Sequence, residues 1–205
     1  MIKAVVFDFD DTLYRGETPV WTNWGTYLKT AFKSVVKDEK RLEEICEKYD
    51  VKPSTSYINV LQICQNENLN LRKLKRYIRK HIYMHSHDKI QTISDEFLKK
   101  LKENHALYVV TLSDQPYVKY YSKKYNIDRK NFRKMYSLNF FEDHPSKGNV
   151  YAKIIKKEKI SPKELLVIGD NFDNDIIPAR KLGARTLYFK GDYNQIYDYF
   201  KNSEK

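Results

Sequence analysis

Cysteine is scarce in this 205-residue chain, which has only Cys46 and Cys64. Two thiols are too few for a disulfide framework, and these are not spaced as a Cys-x-x-Cys pair, so reduced, packed thiols are expected. Long apolar runs are also missing. The longest, such as Ala4-Val5-Val6-Phe7 and Leu165-Leu166-Val167-Ile168, are strand-sized and far below the roughly 20 residues that span a bilayer. The first of them follows directly on Met1-Ile2-Lys3, without the n-region, h-region and cleavage site of a signal peptide, so a cytoplasmic protein is expected. No Gly/Ser linker, repeat or low-complexity tract interrupts the chain. Its length suits one ordinary domain, or a core carrying a modest insertion. What it has in excess is positive charge: 38 Lys and Arg against 27 Asp and Glu, a net +11. That balance points to an anionic partner, whether nucleic acid, a membrane surface or a phosphorylated small molecule.

Short β-branched or aromatic segments, each bounded by turn or helix signals, predict buried strands at Lys3 to Asp8, Leu107 to Thr111, about Met135 to Leu138, Leu165 to Gly169 and Ala184 to Phe189. Amphipathic stretches of helical length lie between the later ones: Gln115 to Tyr125, Gly148 to Lys159, and Asp175 to Leu182 with Gly183 ending the last. Strand and helix in alternation imply a parallel sheet covered on both faces. From about Tyr14 to Asn104 only helical spacing is evident: Trp24, Leu28, Ala31, Phe32, Val35; Leu42, Ile45, Cys46, Tyr49; Tyr57, Val60, Leu61, Cys64; Leu71, Leu74, Ile78, Ile82. A crossover needs about a dozen residues, so this interval is expected to hold a helical subdomain inserted into an α/β core.

Carboxylates gather at two predicted strand ends. Phe7-Asp8-Phe9-Asp10-Asp11-Thr12-Leu13 follows the first strand, where open parallel sheets bind ligands. In extended backbone Asp8 and Asp10 address one side. Acids so close repel unless a cation sits among them, and hard oxygen ligands suit Mg²⁺. Gly169-Asp170-Asn171-Phe172-Asp173-Asn174-Asp175 follows the fourth strand. Asp175 alone would more often be a helix cap. Between the clusters stand Thr111-Leu112-Ser113-Asp114, with hydroxyls that can donate to a phosphate oxygen or cap a helix, and Lys147 at a loop-to-helix junction.

In this order the four elements closely resemble the haloacid dehalogenase-like hydrolase superfamily, of the capped phosphatase type. Asp8-Phe9-Asp10-Asp11-Thr12-Leu13 fits its first motif, Thr111 its second and Lys147 its third. Gly169-Asp170 through Asp175, with Ile176, Ala179 and Gly183, fits its fourth. The resemblance implies a Rossmann-like parallel sheet core with helices on both faces over residues 1–15 and 90–205. It also implies an α-helical cap domain over 16–89, inserted between the first and second motifs. Asp11 stands where many members have Gly, and Leu112 where Asn is common. Ser113 competes with Thr111 for the phosphate role, and Lys153 is the alternative to Lys147.

Carried over to these positions, the resemblance implies a Mg²⁺-dependent phosphatase acting on a small phosphorylated metabolite through an aspartyl-phosphate. Asp8 is then the nucleophile, Asp10 the general acid and base, and Lys147 a second positive charge. Thr111 and Ser113 are the candidates to bind phosphate. Mg²⁺ is held by Asp8, the backbone carbonyl of Asp10 and Asp170, with Asp175 orienting Lys147 or a metal-bound water. Members that displace halide lack an acid at the place of Asp10, so Asp10 argues for phosphoryl transfer. A phosphotransferase or mutase with the same intermediate is the main alternative, and a nucleic-acid-processing or binding protein a further one.

Outside the motifs, Arg15 is a candidate contact for an anionic substrate, with Tyr14, Trp21 and Trp24 as candidate walls of the cleft. The basic stretch Leu71 to Lys80 reads as an amphipathic helix whose cations either face solvent or meet a second anionic group. With Tyr77 and Tyr83 it is also the starting point of the nucleic-acid reading. His81 and His85 share a helical face without the glutamate of a zinc protease motif, and with His87 are read as ordinary helix residues. The tyrosines Tyr117, Tyr120, Tyr121 and Tyr125 are expected to pack against the sheet.

Overall fold

The computed structural model describes residues 1–16, 24–51, 57–74, 76–77, 90–138 and 146–203, and for 24–27, 57–59 and 203 the backbone only. Trp21, Ile78, Arg79, Lys80, His81, Ile82, Tyr83, His85 and His87, with the side chain of Trp24, lie outside the described residues. The chain divides into two compact units, Met1–Arg15 with Ile90–Lys205, and Gly16–Lys89. No helix among the described residues is long and apolar enough to cross a membrane.

The 16–89 unit contains α1 (Trp24–Val35), α2 (Glu39–Lys48) and α3 (Tyr57–Asn66). α1 buries Leu28, Ala31 and Phe32 and α3 buries Val60, Ile63 and Cys64, each at helical spacing, while α2 buries Ile45. Asp38 caps α2 by accepting from the Arg41 amide at 2.7 Å.

The other unit is built on a five-stranded parallel sheet. Its strands are β1 (Ala4–Phe7), β4 (Ala106–Thr111), β5 (Lys134–Ser137), β6 (Leu165–Gly169) and β7 (Arg185–Tyr188), in the order β5-β4-β1-β6-β7. Two further strands, β2 (Tyr14–Gly16) and β3 (Ile90–Thr92), pair separately. They are three residues each, too short to leave a period-2 signal, and the sequence reading missed both. The helices are α4 (Asp95–Asn104), α5 (Gln115–Lys124), α6 (Lys147–Glu158), α7 (Ile177–Lys181) and α8 (Asn194–Ser203).

Strand alternation sends Ala4, Val6, Tyr108, Val110, Leu165 and Val167 to one face, where they meet Val150, Tyr151 and Ile154 of α6 and Ala179 of α7. Val5, Phe7, Leu107, Val109, Leu166 and Ile168 alternate to the other face and are equally buried. Burying one such side chain contributes roughly 1.5–3 kcal/mol. A sheet covered on both faces is the Rossmann-like arrangement that alternating strands and helices predict. Chain order runs outward from β1 through β4 to β5, then returns to β6 on the opposite side of β1. The reversal flanks the C-terminal end of β1, where such sheets bind ligands.

Two local features shape that end. After β1 the chain turns tightly, with the Leu13 amide donating to the Phe9 carbonyl at 3.1 Å and Asp11 left-handed at φ 53°. Left-handed backbone costs an L-residue about 1 kcal/mol, less for Asp than for most. We therefore expect Asp11→Gly to raise Tm by about 2–4 °C at pH 8 in thermal unfolding. An unchanged or lower Tm would contradict the strain.

The helix read from Asp175 to Leu182 is the second difference. A single π-type turn, Phe172–Ile176, precedes α7. Pro178 lies in the first turn of α7, where its missing N–H breaks no helical bond. Asn171 caps the wide turn by accepting from the Asn174 amide at 2.9 Å.

Candidate active site

Parallel register brings the motif residues to one level. Ala4 pairs with Ala106 and Leu165, and Phe7 with Val109 and Ile168. Asp8, next in line, donates its amide to the Ile168 carbonyl at 2.9 Å. Asp8 thus stands beside the ends of β4 and β6, within reach of Thr111 and Asp170.

The first group of side chains surrounds Lys147. It opens α6 and is 4% exposed. Its Nζ donates to Asp8 Oδ1 at 2.6 Å and to Asp175 Oδ1 at 2.5 Å. Asp175 is fully buried, and its Oδ2 accepts from the Asn171 amide at 3.0 Å. The π turn carries it inward, and Gly169 makes room, since a Cβ there would fall on the Asp175 carboxylate. Asp170 joins through Thr12, whose Oγ1 donates to Asp170 Oδ1 at 3.4 Å. Carboxylate oxygens of Asp8, Asp170 and Asp175 lie within 4.8 Å of one another.

The second group surrounds Asp10, whose carboxylate is not in that set. Tyr14 Oη donates to its Oδ1 at 2.5 Å. Ser113 Oγ donates to its Oδ2 at 2.5 Å, and Thr111 Oγ1 to the same oxygen at 3.3 Å. Thr111 Oγ1 also accepts from the Ser113 amide at 3.0 Å. Asp114 caps α5, accepting from the Tyr117 amide at 2.9 Å.

Three carboxylates around one ammonium leave excess negative charge in a buried place. Burial, more than any neighbour, pushes the Asp8 carboxyl well above its usual range against the pull of Lys147. Burial and then Asp175 push Asp170 up to about 6. Burial, then Asp170 and Asp10, push Asp11 up to about 7. Burial disfavours the charged form of Lys147, but the charges of Asp8 and Asp175 outweigh it and hold the lysine above its ordinary value. An all-oxygen set with surplus negative charge fits a hard divalent cation, and the cluster can hold a metal ion.

The same crowding predicts a pH dependence. Asp170 and Asp11 hold their protons to about 6 and about 7 when folded, against 3.8 for an ordinary aspartate. Between these values the unfolded chain has already lost protons that the folded protein retains, so rising pH lowers stability. We expect the metal-free protein to lose on the order of 2 kcal/mol between pH 5 and 7. Asp170→Asn should flatten the slope and added Mg²⁺ reverse it. Chelated protein whose Tm climbs over that range would count against the picture.

The remaining candidates are dispersed. Arg15 lies against Gly191, where a Cβ would strike its guanidinium, and its charge acts on Asp11. Lys153 is exposed on α6, apart from the Lys147 cluster. Tyr14 is 1% exposed, so it belongs to the core rather than to a cleft wall. Its bond to Asp10 escaped the sequence reading, and Tyr14's place directly after the motif was the sole available signal. Thr12 was read as part of the motif, without its partner Asp170.

Comparison with known proteins agrees with this geometry. No curated protein matches the chain in sequence. The family model described as haloacid dehalogenase-like hydrolase matches residues 5–189. Among solved structures, a haloacid dehalogenase-like family hydrolase from Streptococcus pneumoniae aligns at TM-score 0.58 and 18% identity, over 97% of this chain and 90% of that one. A HAD phosphatase from Thermococcus onnurineus aligns at 0.56 and 18%, over 93% and 88%. A 2-haloacid dehalogenase from Pseudomonas syringae aligns at 0.54 and 17%, over 92% and 86%. At such identities the likeness is one of fold, and the neighbours include both phosphatases and a dehalogenase. The family match spans both carboxylate clusters and the lysine that joins them, and on that ground the chain belongs to the haloacid dehalogenase-like hydrolases.

Proposed function

We propose that this protein is a Mg²⁺-dependent phosphatase that hydrolyses a small phosphomonoester through an aspartyl-phosphate on Asp8. The observation that carries the reading is the separation of two neighbouring carboxylates. Asp8 lies in the lysine-centred cluster, whereas Asp10, two residues on, is held apart by hydroxyls. Two-step phosphoryl transfer needs both: a nucleophile beside positive charge, and an acid and base that is not consumed by it. Displacement of halide needs only the first, so Asp10 favours phosphatase over dehalogenase.

Asp8 attacks phosphorus, the bond from phosphorus to the ester oxygen breaks, and Asp10 gives its proton to the departing alkoxide. Asp10 then takes a proton from water as the water oxygen attacks the aspartyl-phosphate, which releases phosphate and restores Asp8. Asp8, Asp170 and the backbone carbonyl of Asp10 would hold Mg²⁺, with Asp175 beside them, and the ion supplies charge that neutralises phosphate oxygens. Lys147 adds a fixed positive charge. Thr111 is the better phosphate donor of the two hydroxyl residues, because its proton is held only by the 3.3 Å contact to Asp10, while Ser113 is engaged at 2.5 Å. Residues 16–89 act as a cap that selects the substrate, and the net charge of +11 attracts phosphorylated ones.

Release of inorganic phosphate tests the reading, measured with Mg²⁺ and with chelator on p-nitrophenyl phosphate and on a panel of sugar phosphates, phosphoglycolate and nucleoside monophosphates. Mg²⁺-dependent release is expected. No release from any compound, or release that chelation leaves intact, overturns it.

A further inference from the structure

Resting on the phosphatase reading, we propose that Tyr14 is a positioning residue for Asp10: its hydroxyl, with that of Ser113, aims the carboxylate at the leaving-group oxygen and keeps it out of the metal-binding cluster. Asp10 stands two residues from Asp8, close enough for its charge to act on the Asp8 carboxyl. A carboxylate free to rotate there could join Asp8, Asp170 and Asp175 around a cation, and would then be lost to proton transfer. The structure opposes this with hydroxyls on both oxygens: Tyr14 Oη on Oδ1 at 2.5 Å, and Ser113 Oγ at 2.5 Å with Thr111 Oγ1 at 3.3 Å on Oδ2.

The donors are themselves held. The chain leaves Asp10, turns through Asp11 and closes on itself in a bridge between Asp10 and Tyr14, which returns the phenol to the carboxylate four residues back. The Tyr14 ring stacks on Tyr121 at 5.8 Å and 5°, meets Phe9 edge-on at 5.3 Å and touches Tyr125 at 4.8 Å. Few rotamers remain to it. The Tyr14 hydroxyl oxygen lies 2.9 Å from that of Tyr117, and the Asp10 carboxylate acts on both phenols. Burial, then the Asp10 charge, keeps the Tyr14 phenol protonated. Ser113 is fixed through its amide, which donates to Thr111 Oγ1, and its carbonyl, which accepts from Ser137 Oγ.

Tyr14→Phe removes the hydroxyl and keeps the ring contacts. A misdirected general acid hurts alkoxide departure far more than departure of a stabilised phenolate. We expect kcat for β-glycerol phosphate to fall about tenfold or more, kcat for p-nitrophenyl phosphate to fall less than about threefold, and both KM values to stay put. Equal losses for the two esters, or no loss for the alkyl ester, overturn the proposal. A second readout needs no turnover. In proton NMR a phenol bonded this closely to a carboxylate should give a slowly exchanging signal downfield of the amides, lost in Tyr14→Phe and shifted in Asp10→Asn. Absence of that signal, or its indifference to Asp10→Asn, also overturns it. Failure of the phosphatase reading is read separately, from wild-type protein inert toward every phosphomonoester.

Discussion

Asp8→Asn should abolish phosphate release, with a loss on the order of 10⁴-fold or more in kcat/KM for p-nitrophenyl phosphate. The amide matches the carboxylate in size but cannot form the acyl-phosphate bond. The fold should survive. Lys147 keeps its 2.5 Å bond to Asp175, and the crowded set loses one of three negative charges, so Tm in chelator should not drop. The two measurements together give the prediction its force. A folded variant that keeps most of its activity removes Asp8 as the nucleophile, whereas loss of activity with loss of fold would assign Asp8 a structural task.

Lys147→Met carries the second largest effect, and here stability and activity fall together. The lysine is 4% exposed and bridges Asp8 and Asp175. Its removal leaves three acids within 4.8 Å of one another and no cation among them. Breaking a buried ion pair from one side costs about 3–5 kcal/mol, so the metal-free variant should melt on the order of 10 °C below wild type. Added Mg²⁺ should recover part of that difference, because a divalent ion relieves the same repulsion. Activity with Mg²⁺ should fall about 10²–10³-fold, as when one preorganised donor to a developing oxyanion is removed. A chelated variant melting within a degree or two of wild type would show that the cluster relaxes or takes up protons instead. Lys153→Met, on the exposed face of the same helix, should change neither quantity.

The surplus of cations, the first positive clue in the sequence, is peripheral to this chemistry. Among the described residues one lysine, Lys147, enters the carboxylate cluster. Arg15 lies against Gly191 instead, and other cations pair on the surface, as Lys33 with Glu39, Lys48 with Glu67 and Arg133 with Glu158. Such exposed pairs are worth roughly 0–1 kcal/mol each. Under the proposed phosphatase reading the charge bears on encounter with the substrate, and Lys147 and the acids bear on its chemistry.

Sequence by itself determined the parallel sheet, because strand and helix periodicities are local and β1, β4, β6 and β7 are each bounded by turn or helix signals. It also placed Asp8 and Asp170 at strand ends, since once the strands are parallel the C-terminal ends of β1 and β6 must lie on the same edge of the sheet, while their adjacency comes from the observed strand order. It did not reveal β2 and β3, which are too short to show a period, or the π turn at Phe172–Ile176, which depends on how Pro178 and the Asn171 cap share a few residues. Nor did it tell Thr111 from Ser113, or show that Tyr14 serves Asp10. Those assignments concern side-chain direction just past the ends of regular structure, where no backbone period governs it. There the direction is chosen by partners far along the chain: Lys147 is 139 residues from Asp8, and Tyr117 and Ser113 are each 103 from Tyr14 and Asp10. Only tertiary packing brings such groups within hydrogen-bond range, and it decides which carboxylate meets the lysine and which meets the hydroxyls.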